Sequence, residues 1–90
     1  MRFEWNDAKA IANLRKHGVS FDEAASVFFD PFSATADDPD HSLEEKRFVT
    51  FGRSSFGRLL VVGHVDRGDA LRIITAREAT RTERKLYEEG

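Results

Sequence analysis

The sequence predicts an α+β fold: two N-terminal helices, an antiparallel β-sheet meander and a C-terminal helix. Three observations carry that reading. Residues 6–30 contain two segments with helix caps and helical spacing of apolar residues. Residues 46–74 switch to two-residue alternation interrupted by glycine-containing turns. Residues 75–87 return to a charged, capped helical pattern. At 90 residues the chain has room for one core, so 1–90 is read as a single domain.

Each element follows from local chemistry. Arg2-Phe3-Glu4-Trp5 alternates polar and apolar, as a short half-buried strand does. Asn6 or Asp7 caps a helix through Lys9, Ile11, Ala12 and Leu14. Lys16 and His17 fall in its last turn, where positive charge suits the helix dipole, and Gly18 is a good terminating residue. Ser20-Phe21-Asp22-Glu23 reads as a capping box opening a second helix, with Phe21, Ala24, Ala25 and Phe28 on one face. Asp30-Pro31 ends it, because the residue before proline is pushed out of the α region.

Ser33 to Ala36 reads as a weak strand, followed by the polar loop Asp37 to Ser42. Lys46 to Arg53 alternates, Ser54-Ser55-Phe56-Gly57 is a hairpin loop, and Arg58 to Val65 is apolar on both faces, as a central strand is. Asp66-Arg67-Gly68-Asp69 turns the chain into a returning strand over Ala70 to Ile74. Thr75-Ala76-Arg77-Glu78 is read as a second capping box, opening the last helix to Tyr87 or beyond.

Composition limits the function classes. Hydrophobic residues make up 40% of the chain and include eight Phe, which supports a packed core over disorder. Any Phe left outside that core would mark a partner surface. With no cysteine there is neither a disulfide framework nor a thiolate zinc site, which favours a reducing compartment. The start of the chain has no apolar signal core. The longest apolar run, Leu59 to Val62, is far short of the roughly 20 residues of a membrane span. A soluble, cytoplasmic protein is expected. The net charge of −2 hides an asymmetry: residues 1–45 carry four Lys or Arg against ten Asp or Glu, and residues 46–90 carry ten against six. Such polarity can present a basic face to phosphates, although surface salt pairing is the plainer explanation.

His17, His41 and His64 match no zinc spacing and fall on separate elements. The loop Asp37-Asp38-Pro39-Asp40-His41 offers oxygen ligands but lacks EF-hand spacing, so a solvated loop is favoured over a cation site. No phosphate loop or nucleophile elbow is present. What remains is a set of cations at element ends: Lys16 with His17; Arg47, Arg53 and Arg58 about the hairpin; Arg67, Arg72 and Arg77; then Arg81, Arg84 and Lys85. Arg77 in a first helical turn would oppose the helix dipole, so an anionic partner is expected for it, with Glu78 and Glu83 as internal candidates. RNA cleavage needs a base for the 2′-hydroxyl, an acid for the departing 5′-oxygen and cations for the charged phosphorane. Histidine and arginine suit those parts, without metal or cofactor.

Several blocks, in order along nearly the whole chain, carry a family resemblance. They are Phe3-Glu4-Trp5-Asn6-Asp7-Ala8-Lys9, Asn13 to Phe21, Asp40-His41-Ser42 with Glu45 and Arg47, and Gly52-Arg53-Ser54. Gly57 to Val62, Arg72 to Arg77 and Glu83 to Glu88 complete the set. Together they resemble the BrnT family, toxins of type II toxin–antitoxin pairs. Asn6 stands where that family usually has Asp, and Thr75 where Ser is common; each exchange keeps a residue able to cap a helix.

The resemblance implies a RelE- or barnase-like fold and a metal-independent endoribonuclease that arrests translation, with no cofactor. It implies a BrnA-type antitoxin carrying a ribbon-helix-helix segment, a toxin–antitoxin heterotetramer, and contact with DNA only through the antitoxin. It places catalytic function on Lys16, His17, Glu45, Arg47, Arg77 and Arg84, and substrate contacts on His41, His64 and Tyr87. A non-catalytic RNA- or partner-binding module is the alternative, and a structural partner protein whose arginines form salt bridges is a third reading.

Overall fold

The computed structural model describes residues 1–38 and 45–89. The elements are β1 (Arg2–Glu4), α1 (Asp7–His17), α2 (Phe21–Ser26), β2 (Ala34–Asp37), β3 (Arg47–Arg53), β4 (Leu59–Arg67), β5 (Ala70–Glu78) and α3 (Arg81–Glu89). A 3-10 turn, Val27–Phe29, extends α2 before Pro31 stops it. The five strands form one sheet in the order β1-β5-β4-β3-β2. Strands β2 to β5 are the expected antiparallel meander, with β4 at the centre. The first strand departs from that plan: β1 joins β5 in parallel, with Arg2–Glu4 beside Ala70–Arg72, so the sheet is mixed.

The helix ends obey the expected local rules. Asn6 Oδ1 accepts the Lys9 N–H at 3.0 Å, and Ser20 Oγ accepts the Glu23 N–H at 3.0 Å. Gly18 closes α1 at φ 69°, where a side chain would be strained, and its N–H reaches the Leu14 carbonyl. The capping box at Ser20 is half made, since the Glu23 carboxylate turns inward to Ser54 and Arg58 instead of returning to Ser20.

The C-terminal boundary differs from the sequence reading. Thr75 to Glu78 is not a helix start: β5 continues to Glu78, which lies opposite Leu60. The cap belongs five residues later. Thr80 Oγ1 accepts the Glu83 N–H at 3.2 Å and Glu83 Oε1 accepts the Thr80 N–H at 2.8 Å, a reciprocal capping box opening α3. Arg77 therefore sits on a strand and opposes no helix dipole. It cannot share a helical face with Arg81 and Arg84, and Thr75 caps nothing.

One face of the sheet packs on α2 and the segment before it. Leu60, Val62, Leu71, Ile73 and Ala76 meet Val19, Phe21, Ala24 and Val27, with Trp5 edge-on to Phe21. Burying Phe21, 2% exposed, contributes about 2–3 kcal/mol. The opposite face is read from the ladders, because cross-strand partners point to the same side. Its rows are Ala34–Phe51–Val61–Arg77 and Ala36–Val49–Gly63–Thr75. Between Gly63 and His64 the register on β5 jumps from Thr75 to Ile73, leaving Ile74 as a bulge residue.

Beyond Arg72, no strand among the described residues pairs with the outer edge of β5, and α1 covers it. Asn13, 7% exposed, donates from Nδ2 to the Ala76 carbonyl at 2.8 Å and to the Val19 carbonyl at 3.0 Å. Its Oδ1 accepts the Ala76 N–H at 3.1 Å. One side-chain amide thus pairs both backbone groups of Ala76, as a neighbouring strand would. This contact fixes α1 beside the open face of β5. The helix buries that polar residue while Ile11 and Leu14 stay more than half exposed.

Candidate functional site

The clamp at Asn13 brings together residues far apart in sequence. Lys9, Ala12, Asn13 and Lys16 occupy one stripe of α1 at the i, i+3, i+4, i+7 spacing. With His17 at the helix end, Arg47 at the start of β3, and Ile74 and Thr75 on β5, they line an open depression of about 350 Å³. Among the described residues no carboxylate lines it. Among the described residues, Lys9, Lys16 and His17 have no ion-pair partner. Three of the expected residues, Lys16, His17 and Arg47, therefore converge. Lys9 and Thr75 join them without having been singled out as site residues. The α1 stripe is the signal that could have found Lys9, since a polar residue stands there where a core-facing helix carries apolar ones.

Arg77 and Arg58 are engaged by acids. Arg77 extends from β5 to α3, where Nη1 and Nη2 donate to the Glu83 carboxylate at 2.8 and 2.9 Å. Glu83 is the internal partner expected for Arg77, and Glu78 contributes only its carbonyl, at 3.2 Å. The Arg77 hydrogen bonds hold the Glu83 carboxyl at about 2, with burial opposing and the Thr80 N–H adding to the effect. Glu83 in turn raises the Arg77 pKa. Arg58 Nε donates to Glu23 at 2.9 Å and Nη1 to Glu78 at 3.0 Å. Glu23 is buried, and hydrogen bonding from Arg58 lowers its pKa against the effect of burial.

Besides Arg77 and His64, three expected site residues lie away from the depression. Glu45 is exposed and pairs with Arg67 at 2.8 Å. Arg84 is exposed on α3 and is not among the lining residues. Tyr87 packs over the Ala34 and Phe51 end of the sheet, and its hydroxyl donates to Asp30 Oδ2 at 2.6 Å. Asp30 also accepts the N–H groups of Arg53 and Phe32 at 2.7 and 2.9 Å. Burial opposes ionisation of Asp30, and these hydrogen bonds outweigh it to lower the pKa.

His64 corrects the sequence reading most clearly. It is 2% exposed, edge-on to Phe28 and stacked on Phe48. Its Nδ1 meets Asp66 Oδ1 at 3.1 Å and its Nε2 meets Thr50 Oγ1 at 2.8 Å; Thr50 reaches Thr35 at 2.7 Å. An acceptor-only carboxylate requires the proton on Nδ1, so Nε2 accepts from Thr50. Burial lowers the His64 pKa, and Asp66 opposes that shift. Both ring nitrogens are engaged inside the core, which removes His64 from substrate binding. His41, and the part of the acidic loop from Pro39 onward, lie outside the described residues.

A family model described as "Ribonuclease toxin, BrnT, of type II toxin-antitoxin system" matches residues 5–83. The chain belongs to the BrnT family. That family match spans α1, the meander and the first turn of α3, so the whole depression lies inside it. The crystal structure of the Brucella abortus ribonuclease toxin BrnT is similar in fold, with a TM-score of 0.66 at 21% identity. The alignment covers 90% of this chain and 99% of that one. Comparison with curated proteins gave no match. As a BrnT chain, this protein is a ribonuclease-type toxin with an antitoxin counterpart. Among the described residues no helix is long and apolar enough to cross a membrane.

Proposed function

We propose that this BrnT chain is a metal-independent endoribonuclease that cleaves RNA to arrest translation, with the depression between α1 and β5 as its site. The observation that carries this reading is the convergence of Lys16, His17 and Arg47 on an open hollow that no acid among the described residues lines. Lys16 and Arg47 stabilise the charged phosphorane, and His17 exchanges the proton with the ribose hydroxyl or the leaving oxygen. Arg77, satisfied by Glu83, serves mainly to hold α3 on the sheet.

A BrnA-type antitoxin is the proposed partner. Phe29, Phe32 and Phe56 support a protein-covered surface, since each is more than 70% exposed. The test is incubation of antitoxin-free protein and its His17→Ala variant with total RNA in EDTA. Wild type is expected to yield fragments, and the folded variant to cleave at least about 100-fold more slowly. Intact RNA with folded wild type would overturn cleavage of free RNA; equal cleavage by the variant would remove His17 from the site.

A further inference from the structure

We infer that Thr75, Gly63 and Lys9 form the seat for a phosphodiester of single-stranded RNA within this depression, Thr75 supplying the hydroxyl that holds a non-bridging oxygen. The inference rests on the ribonuclease reading and extends it to residues that the family resemblance did not place in the site.

Thr75 is exposed at the middle of β5, and its hydroxyl has no partner among the described residues. The other strand threonines differ: Thr35 and Thr50 bond one another, and Thr50 goes on to His64. Opposite Thr75 stands Gly63, whose absent side chain is a steric requirement. A Cβ at Gly63 would lie 2.8 Å from Thr75 Oγ1, inside the closest approach real Cβ atoms make. Threonine has few χ1 positions to retreat to, so any side chain at Gly63 displaces the hydroxyl. Glycine is otherwise a poor choice in a central strand, where it weakens pairing and packs nothing. Its presence leaves the Thr75 hydroxyl unobstructed from the neighbouring strand.

The walls suit an anion. Lys9 and Lys16 stand two helical turns apart on the α1 stripe, with His17 beside Lys16 and Arg47 on the far side. Asn13 sits between the two lysines and is bound to Ala76, the neighbour of Thr75, so helix and hydroxyl keep a fixed spacing. A tetrahedral phosphate here accepts from Thr75 and faces the two ammonium groups. The hollow is open, which lets a chain continue past it in both directions. Duplex RNA hides its bases and presents phosphates on a rigid surface, whereas a single strand can follow an open hollow.

The test uses a short single-stranded 2′-O-methyl RNA, which this chemistry cannot cleave, with binding followed by fluorescence anisotropy against the full chain. Thr75→Val is expected to weaken Kd roughly tenfold, and Thr75→Ser to restore it. Lys9→Ala is expected to weaken binding and to lower the slope of log K against log salt by about 0.7. Gly63→Ala is expected to reproduce the Thr75→Val loss while the protein stays folded by circular dichroism. Wild-type affinity and salt slope in Thr75→Val and Lys9→Ala, with Lys16→Ala weakened, would overturn the seat and leave the ribonuclease reading standing. Failure of wild type both to bind this RNA and to cleave total RNA would overturn both.

Discussion

Cations at the two ends of the open sheet face stand in different electrostatic states. At the α3 end, Arg77 is gripped by Glu83 and Arg53 by Glu88, and Tyr87 is tied to Asp30. At the α1 end, Lys9, Lys16 and His17 surround a hollow that no carboxylate among the described residues lines. Helix α3 buries no residue completely and leaves Leu86 66% exposed, so polar links do much of the work of holding it. Helix α1 is held by a buried amide bonded to backbone, which leaves its lysines uncommitted. The difference teaches how to sort basic residues in a small domain. A cation with an internal acid belongs to the fold, and a group of cations without one is poised for an outside anion.

Three experiments can break or sharpen that division. The largest effect is expected at Arg58, on the structural side. Arg58→Ala strands the Glu23 carboxylate, whose side chain is 3% exposed, and is expected to cost about 3 kcal/mol. Thermal unfolding should fall by roughly 15 °C. A melting point within a few degrees of wild type would break the link between internal pairing and stability.

Glu83→Gln should have a middle effect, about 1 kcal/mol at pH 7, because Arg77 is 40% exposed and water screens the pair. The sign with pH follows from linkage. The folded Glu83 pKa of about 2 lies below the ordinary value of 4.5, so its contribution is present above about pH 4.5 and is lost as pH falls toward 2. The gap between wild type and variant in urea unfolding should therefore narrow below pH 4.5 and close only near pH 2, and an undiminished gap at pH 3 would contradict an electrostatic clamp.

The smallest stability effect is expected where the functional effect is largest. Lys16→Ala with His17→Ala should change unfolding by no more than about 0.5 kcal/mol while abolishing RNA cleavage. A large loss of stability in that double variant would place these residues with the structural cations and erase the contrast between the two ends.

Local chemistry in the sequence determined much of this fold. Asn6, Ser20 and Gly18 act on atoms a few residues away, so the bounds of α1 and the start of α2 are legible from neighbours alone. The alternation over 46–53 and the apolar run over 59–65 specify β3 and a central β4 for the same reason. The start of α3 was not decidable locally, because Thr75 to Glu78 and Thr80 to Glu83 offer the same capping pattern. Pairing of β5 with β4 out to Leu60–Glu78 chose the second.

Three further decisions needed the tertiary structure. Glu83 rather than Glu78 holds the Arg77 guanidinium, because a strand followed by a helix places it across the gap. His64 lies on the inward face, where Thr50 and Asp66 satisfy it and remove it from the site. Asn13 joins Ala76 across 63 positions of sequence, which sets Lys9, Lys16 and His17 around one hollow with Thr75. Caps and alternation are short-range and leave their mark on adjacent residues. A site assembled from three elements depends on which backbone edge a helix covers, and that is settled only when the sheet has formed.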